Sequence, residues 1–364
     1  MTNPLVTYLH ILQLEGYQPV RFLRWWVKNP LKFRLENKKK LEWTAKAKFI
    51  YVVSGGFWPL MFVGLLALKP IEEIYKWRTK EKTREKIERL KRGKLKVIGI
   101  AGSYGKTSTK EFLYQILKSK YRVLRTPESY NTPMGIAKVV EMELDESYDF
   151  FICEMGEHAR GDIKELCETV LPDYGVITGI NEQHLERFAS REEIKKTIYE
   201  LKDWVGEIVE YKRGKGTPME ENLRIAREMA AILGVKTNIQ IKPVEHRLKV
   251  IKRSEITIID DAYSSNVDGF AAAVDYLKSF EGWKVIVTPG IAELGGETYE
   301  IHKRLGEKLR GLDQVILVGR NERTKGLEEG AGEVEYVDKV GEAVNRVSRR
   351  PAVVLFENDL PDNY

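Results

Sequence analysis

At 364 residues the chain is long enough for two or three domains, and its composition lacks the bias of a disordered or fibrous protein. Its charge is uneven. Residues 1–96 carry 22 lysines and arginines against 8 acidic residues, a net of +14, whereas the remainder carries 38 against 46, a net of −8. The two cysteines, Cys153 and Cys167, show no metal-binding spacing and are expected to be reduced thiols.

Residues 1–94 are predicted to form a basic, helical segment with a membrane-like stretch at residues 49–68. That stretch has no formal charge over twenty residues, which matches the hydrocarbon thickness of a bilayer. Lys46 and Lys48 precede it and Lys69 follows it. Since basic flanks favour anionic lipid, we expect a membrane surface as partner and no nucleic acid.

The topology of residues 49–68 is left open by the sequence. A single span, a re-entrant hairpin and a buried hairpin of a soluble domain all fit the run. Gly55-Gly56 and Pro59 interrupt its middle, which slightly favours the re-entrant hairpin, with every positive charge on one side. The expected location is the cytoplasmic face of the cell membrane, with the cytoplasm as the alternative.

A phosphate-binding loop is predicted between residues 96 and 111. A β-branched apolar run enters it, glycines turn the chain, and a helical pattern leaves it, the order of strand, loop and helix. The spacing is G-x-x-G-K-T, shorter than the usual Walker A spacing. Lys106 can reach the outer phosphates of ATP, and the Thr107 hydroxyl can ligate Mg²⁺. The residues expected to bind ATP in the loop are Gly102, Ser103, Gly105, Lys106, Thr107 and Ser108.

Strand and helix patterns alternate after the loop, which predicts an α/β fold with a parallel sheet. Ligands bind at the carboxyl ends of the strands in such sheets. Glu154 follows one predicted strand, and the turn after another carries His184. We therefore expect Thr107, Glu154 and His184 to hold the metal ion.

Three segments carry a family resemblance. GSYGKTSTKE, EMGEHARGDIKEL and ITGINEQHLERFAS resemble the ATPase domain of the Mur ligases, the ATP-dependent amide ligases of peptidoglycan assembly, and look most like the MurF type. The resemblance covers residues 95–205 and 219–364. It implies a P-loop ATPase-type domain at residues 95–240 and a smaller Rossmann-like α/β domain at residues 241–364.

The resemblance also implies a mechanism. A muramyl-peptide carboxylate attacks the γ-phosphate of ATP, and the amine of an amino acid or dipeptide then displaces phosphate from the acyl phosphate. The implied catalytic residues are Lys106, Glu154 and His184. By matching position, Asn222 would contact the adenine, Arg247 the nucleotide, and Asp261 the ATP across a domain cleft.

The C-terminal third is predicted to form a second small parallel sheet. Its strand at residues 255–259 ends in Asp260-Asp261, which resembles a Mur ligase motif. The alternative for these acids is the cap of a helix that follows from Gly269.

The chain departs from the family pattern at several places. Ile198 stands where the family has a lysine, two residues before the glutamate that matches Glu200, and Gly179 replaces a frequent asparagine. The strands that usually follow are reduced to a short segment, and the N-terminal UDP-sugar domain is replaced by residues 1–94. A MurF-like ligase is the leading hypothesis. The alternative is a catalytically weakened, nucleotide-binding scaffold for cell-wall enzymes at the membrane.

Overall fold

The computed structural model describes residues 4–14, 16–28, 41–127, 130–157, 159–180, 188, 190–212, 218–236, 239–242, 248–262, 266–292 and 294–358. Two compact units make up the chain. The N-terminal unit runs to Thr79, and the second unit runs from Lys80 to Asp359.

The N-terminal unit is helical, as predicted. Its helices are α1 (Pro4–Leu14), α2 (Pro19–Lys28), α3 (Ala45–Ser54) and the first half of α4 (Met61–Lys91). Helix α1 buries most of its circumference, including Leu9 and Leu12, against Phe22 and Ile50. Because a short helix that is apolar on every side must be enclosed, α1 forms the centre of this unit's core.

Residues 49–68 do not form one continuous helix. Helix α3 ends at Ser54, where Gly55 adopts a left-handed conformation (φ 53°) and donates its N–H to the carbonyl of Val52. A 3₁₀ turn over Trp58–Leu60 then leads into α4. The predicted interruption is confirmed, whereas the single-span alternative does not match this break. In the parts of the chain that the structure describes, no helix is long and apolar enough to cross a membrane.

The first sheet of the second unit is parallel, as predicted. Its strand order is β2-β3-β1-β4-β5. The strands are β1 (Lys96–Ala101), β2 (Val123–Arg125), β3 (Phe150–Glu154), β4 (Tyr174–Ile177) and β5 (Glu207–Glu210). The helices are α5 (Lys106–Leu117), α6 (Pro133–Glu143), α7 (Asp162–Val170), α8 (Arg191–Tyr199) and α9 (Pro218–Ile232). Two buried apolar clusters cover the two faces of the sheet. Cys153 and Cys167 are buried free thiols.

The second sheet is mixed, and the prediction of a wholly parallel sheet is wrong at one edge. Its strand order is β10-β9-β8-β11-β7-β6, and only β6 runs antiparallel to its neighbour. The strands are β6 (Lys249–Lys252), β7 (Ile256–Asp261), β8 (Trp283–Thr288), β9 (Gln314–Val318), β10 (Glu335–Val337) and β11 (Ala352–Glu357). The helices are α10 (Val267–Lys278), α11 (Thr298–Leu309), α12 (Glu322–Ala331) and α13 (Val340–Arg346). Residues 253–255 alone join β6 to β7, and so short a connection permits only an antiparallel pair.

Candidate active site

The predicted phosphate loop lies at the centre of the first sheet. Strand β1 is flanked by β3 and β4, so the carboxyl ends of three strands meet at one edge. The backbone N–H groups of Ser103 and Tyr104 both donate to the carbonyl of Gly179 after β4, at 2.9 and 3.1 Å. The N–H of Thr178 donates to the carbonyl of Ala101 at 2.8 Å. These bonds fix the loop against the end of β4.

Gly105 is required where the loop enters α5. Its φ is +81°, and a Cβ there would lie 2.4 Å from Oδ1 of Asn222. The space that the glycine leaves is filled by the side chain of Asn222 from α9. Asn222 is therefore a neighbour of the phosphate loop, and its predicted contact with adenine remains a proposal. At Gly102 a Cβ would similarly collide with the Thr178 hydroxyl, at 2.1 Å.

The ring of Tyr104 explains why position 179 is a glycine and not the asparagine that is frequent in the family. A Cβ on Gly179 would lie 1.9 Å from Cζ of Tyr104, so the tyrosine ring fills the space that a side chain at position 179 would need. The ring also makes an edge contact with Tyr211, at a centroid distance of 5.7 Å. The tyrosine at position 104 therefore requires a glycine at position 179 in this chain.

Lys106 is held by a carboxylate that no sequence motif indicated. Its Nζ donates to Oε2 of Glu157 at 3.0 Å and also to the carbonyl of Gly102. Glu157 lies three residues beyond β3, and its side chain is fully buried. A charged lysine and a buried carboxylate at this distance form a charge-assisted hydrogen bond. The phosphate-loop lysine is therefore paired within the protein itself.

Glu154 is held by two residues of α5. Its Oε2 accepts from the Thr107 hydroxyl at 3.0 Å and from Nζ of Lys110 at 2.9 Å. Lys110 is completely buried, and no sequence motif assigned it to this site. Burial of Glu154 acts to raise its pKa, but the charge and hydrogen bond of Lys110, helped by Lys106 and Thr107, hold it below the usual value. The carboxylate is therefore ionised at neutral pH.

The donor set fits a magnesium nucleotide. Within the described ranges no three acidic, histidine or cysteine side chains gather as a protein-only metal site. Mg²⁺ usually takes one or two carboxylates and completes its shell with phosphate and water, which suits Glu154 beside the Thr107 hydroxyl. Three buried atoms around the loop also have no hydrogen-bond partner in the described structure: Ser103 Oγ, Asn222 Oδ1 and Glu157 Oε1. Since buried polar atoms are normally paired, these fit a site that a polar ligand completes.

Of the other predicted site residues, the structure describes Ser108 and Asp261 but not His184 or Arg247. Ser108 is buried in the first turn of α5. Asp261 ends β7, and its Oδ1 accepts the N–H of Leu248 at 3.2 Å. The helix-cap alternative for Asp260-Asp261 is wrong, because α10 begins at Val267 and is capped by Asn266.

Ile198 is packed among apolar side chains. Its side chain is completely buried in the apolar cluster with Ile194 and Leu201. Both oxygens of Glu200 are engaged by backbone N–H groups, those of Gly161 at 3.1 Å and Lys164 at 2.9 Å. Glu200 therefore caps the N-terminus of α7 in the described structure.

Replacing Glu200 with alanine is expected to lower the free energy of unfolding by about 1 kcal/mol, since two N–H groups at the start of α7 lose their acceptor. Glu200→Gln, which keeps one acceptor oxygen, is the control and should lose less. Urea unfolding measures both variants. An alanine variant as stable as the wild type would show that the cap contributes nothing.

Two family models match the chain. The Mur ligase middle domain matches residues 100–209, and the glutamate ligase domain of the Mur ligases matches residues 246–356, together more than half of the chain. The UDP-N-acetylmuramoyl-tripeptide--D-alanyl-D-alanine ligase of Bacillus subtilis is 27% identical over 288 residues, and that of Escherichia coli is 25% identical over 312 residues. The matches cover 62% and 67% of this chain, and 63% and 69% of the two relatives.

A solved structure gives the same fold. The MurF ligase from Thermotoga maritima in complex with ADP superposes with a TM-score of 0.69 at 23% identity, covering 78% of this chain and 80% of that one. The sheet with the phosphate loop and the mixed sheet correspond, in chain order, to the two matched family domains. The chain belongs to the Mur ligase family.

Proposed function

We propose that this protein is an ATP-dependent amide ligase of the MurF type. The observation that carries the proposal is the assembly of Lys106, Thr107 and Glu154 at the carboxyl ends of β1 and β3. These groups have the chemistry to bind the phosphates of ATP and one Mg²⁺. The similarity to D-alanyl-D-alanine ligases over both family domains supports the reaction class.

The proposed substrates are a muramyl peptide and an amino acid or dipeptide such as D-alanyl-D-alanine. The carboxylate of the peptide attacks the γ-phosphorus of ATP and ADP leaves. The incoming amine then forms the amide bond, and inorganic phosphate leaves. Mg²⁺ would supply charge neutralisation for the phosphates. By matching position, we also propose His184 as the ligand of a second Mg²⁺. Asn222 and Arg247 would contact the nucleotide, and Asp261 would contact the ATP across the cleft.

Lys106 has a defined task in this scheme. Its ammonium pairs with Glu157 at 3.0 Å, so phosphates of ATP that bind there share this ammonium with Glu157 or replace that carboxylate. Thr107 and Glu154 are already 3.0 Å apart and would share the metal ion without such a replacement. These retained groups favour catalysis over the scaffold alternative, which rests on Ile198.

Phosphate release from ATP is expected only when the muramyl peptide and the amine are both present, because the amine must displace phosphate from the acyl phosphate of the peptide. A coupled phosphate assay with the wild-type protein measures this, and reactions lacking one substrate are the controls. Removing Mg²⁺ with a chelator should abolish release. If ATP binds but no pair of such substrates releases phosphate, the scaffold alternative replaces the ligase.

We also place this reaction at the cytoplasmic face of the membrane. ATP is available on that side, and the basic N-terminal quarter with its net charge of +14 favours the anionic lipid found there. The helix break at Gly55 is compatible with attachment from one side of the bilayer.

A further inference from the structure

The first half of α4 carries apolar side chains along one exposed line. We call Val63, Leu66, Pro70, Ile74 and Trp77 the apolar stripe, and all five are exposed. Their spacings of three and four residues place them on one face of the helix. A stripe of this kind on a soluble protein marks an interaction surface.

The unit's own core does not use this face. Met61 and Gly64 of α4 are buried on the other side, where α4 meets α3. A Cβ on Gly64 would lie 3.2 Å from Cα of Ile50, so the two helices are closely packed there. Val52 of α3 and Phe57 of the turn are also largely exposed. The helical hairpin therefore has one packed side and one apolar side that stays exposed among the residues of its unit that the structure describes.

The charge of the N-terminal unit indicates what covers the stripe. Residues 1–79 contain 13 lysines and arginines against 5 acidic residues, a net of +8, and ten of the basic residues precede Phe49. A second copy docking through the same face would bring two such charges together. An anionic lipid surface instead accepts apolar side chains between its headgroups and attracts the basic residues of the same unit.

We infer that the N-terminal unit binds the surface of an anionic bilayer through the apolar stripe, without spanning it. Trp77 at the end of the stripe is a side chain suited to the headgroup level. The inference rests on the membrane location proposed above, but it does not require ligase activity.

The test uses the full-length protein and two kinds of vesicle, phosphatidylcholine alone and phosphatidylcholine mixed with phosphatidylglycerol. Co-sedimentation should show binding to the mixed vesicles that weakens as salt rises. Leu66→Glu should reduce this binding by about tenfold or more, since a charge replaces a leucine that would enter the bilayer. Met142→Glu is the matched control, because Met142 on α6 is also an apolar residue with 71% exposure, as Leu66 is. It should bind as the wild type does.

Three further measurements make the outcome decisive. ADP affinity should be the same in the wild type and both variants, which shows that a loss of vesicle binding is not a loss of fold. Equal binding by Leu66→Glu and the wild type overturns the inference, as does a wild type that binds neither vesicle. A wild-type dimer that Leu66→Glu converts to a monomer, without vesicle binding, would assign the stripe to a second copy. Vesicle binding without phosphate release in the ligase assay would instead count against the proposed activity alone.

Discussion

Replacing Lys106 with alanine is expected to abolish ATP binding and also to destabilise the protein. The first effect follows from the loss of the charge that would contact the phosphates. The second follows because Glu157 is fully buried and would lose its ion-pair partner at 3.0 Å. Breaking one side of a buried pair typically costs about 3–5 kcal/mol. Calorimetric titration with ATP and urea unfolding measure the two effects separately.

A double variant separates binding from folding at this pair. In Lys106→Ala with Glu157→Gln the remaining side chain is neutral, so much of the lost stability should return while ATP binding stays absent. Glu157→Gln alone is the matched control and should still bind ATP. Unchanged ATP affinity in Lys106→Ala would show that the phosphate-loop assignment is wrong.

The central strands of both sheets are predictable from sequence because their signal is strong and local. Strands β8 and β9 contain uninterrupted apolar runs at residues 285–287 and 315–318, of the kind that is buried on both faces. The edge strands β5 and β6 are not predictable in this way. Strand β5 reads Glu-Ile-Val-Glu and β6 reads Lys-Val-Ile-Lys, and the charged ends of such short segments are equally typical of loops.

The candidate site is only partly predictable, for a different reason. Lys106 and Thr107 follow from the loop motif, and Glu154 follows from its place at a strand end. Glu157 pairs with a lysine 51 positions earlier in the sequence, and Lys110 pairs with a glutamate 44 positions later. No local sequence pattern reveals contacts over such separations. One signal was available. Lys110 lies four residues after Lys106, on the same face of α5, so both lysines are presented to the end of β3.

Replacing the buried Lys110 with methionine is expected to cost about 3–5 kcal/mol of unfolding free energy at neutral pH, because Glu154 would remain as a buried carboxylate without its nearest cation, now at 2.9 Å. Methionine nearly matches the length of lysine, so the loss reports the charge rather than a cavity. Lys110→Met with Glu154→Gln is the matched control, and its stability should return most of the way to that of the wild type.

The pH dependence of this loss distinguishes a charge effect from a packing effect. In the wild type the pKa of Glu154 lies below its usual value, so its contribution is complete above about pH 4.3 and declines as the pH falls through the folded-state value. In Lys110→Met burial outweighs the remaining partners, and the pKa should rise above the unfolded value. The variant's carboxylate then takes up a proton on folding. The loss of unfolding free energy relative to the wild type should therefore shrink as the pH is lowered from about 7 to about 5. Urea unfolding of both proteins at the two pH values measures that difference. A deficit that is the same at both would mean that Lys110 stabilises the site by packing, and that its charge does not hold Glu154 ionised.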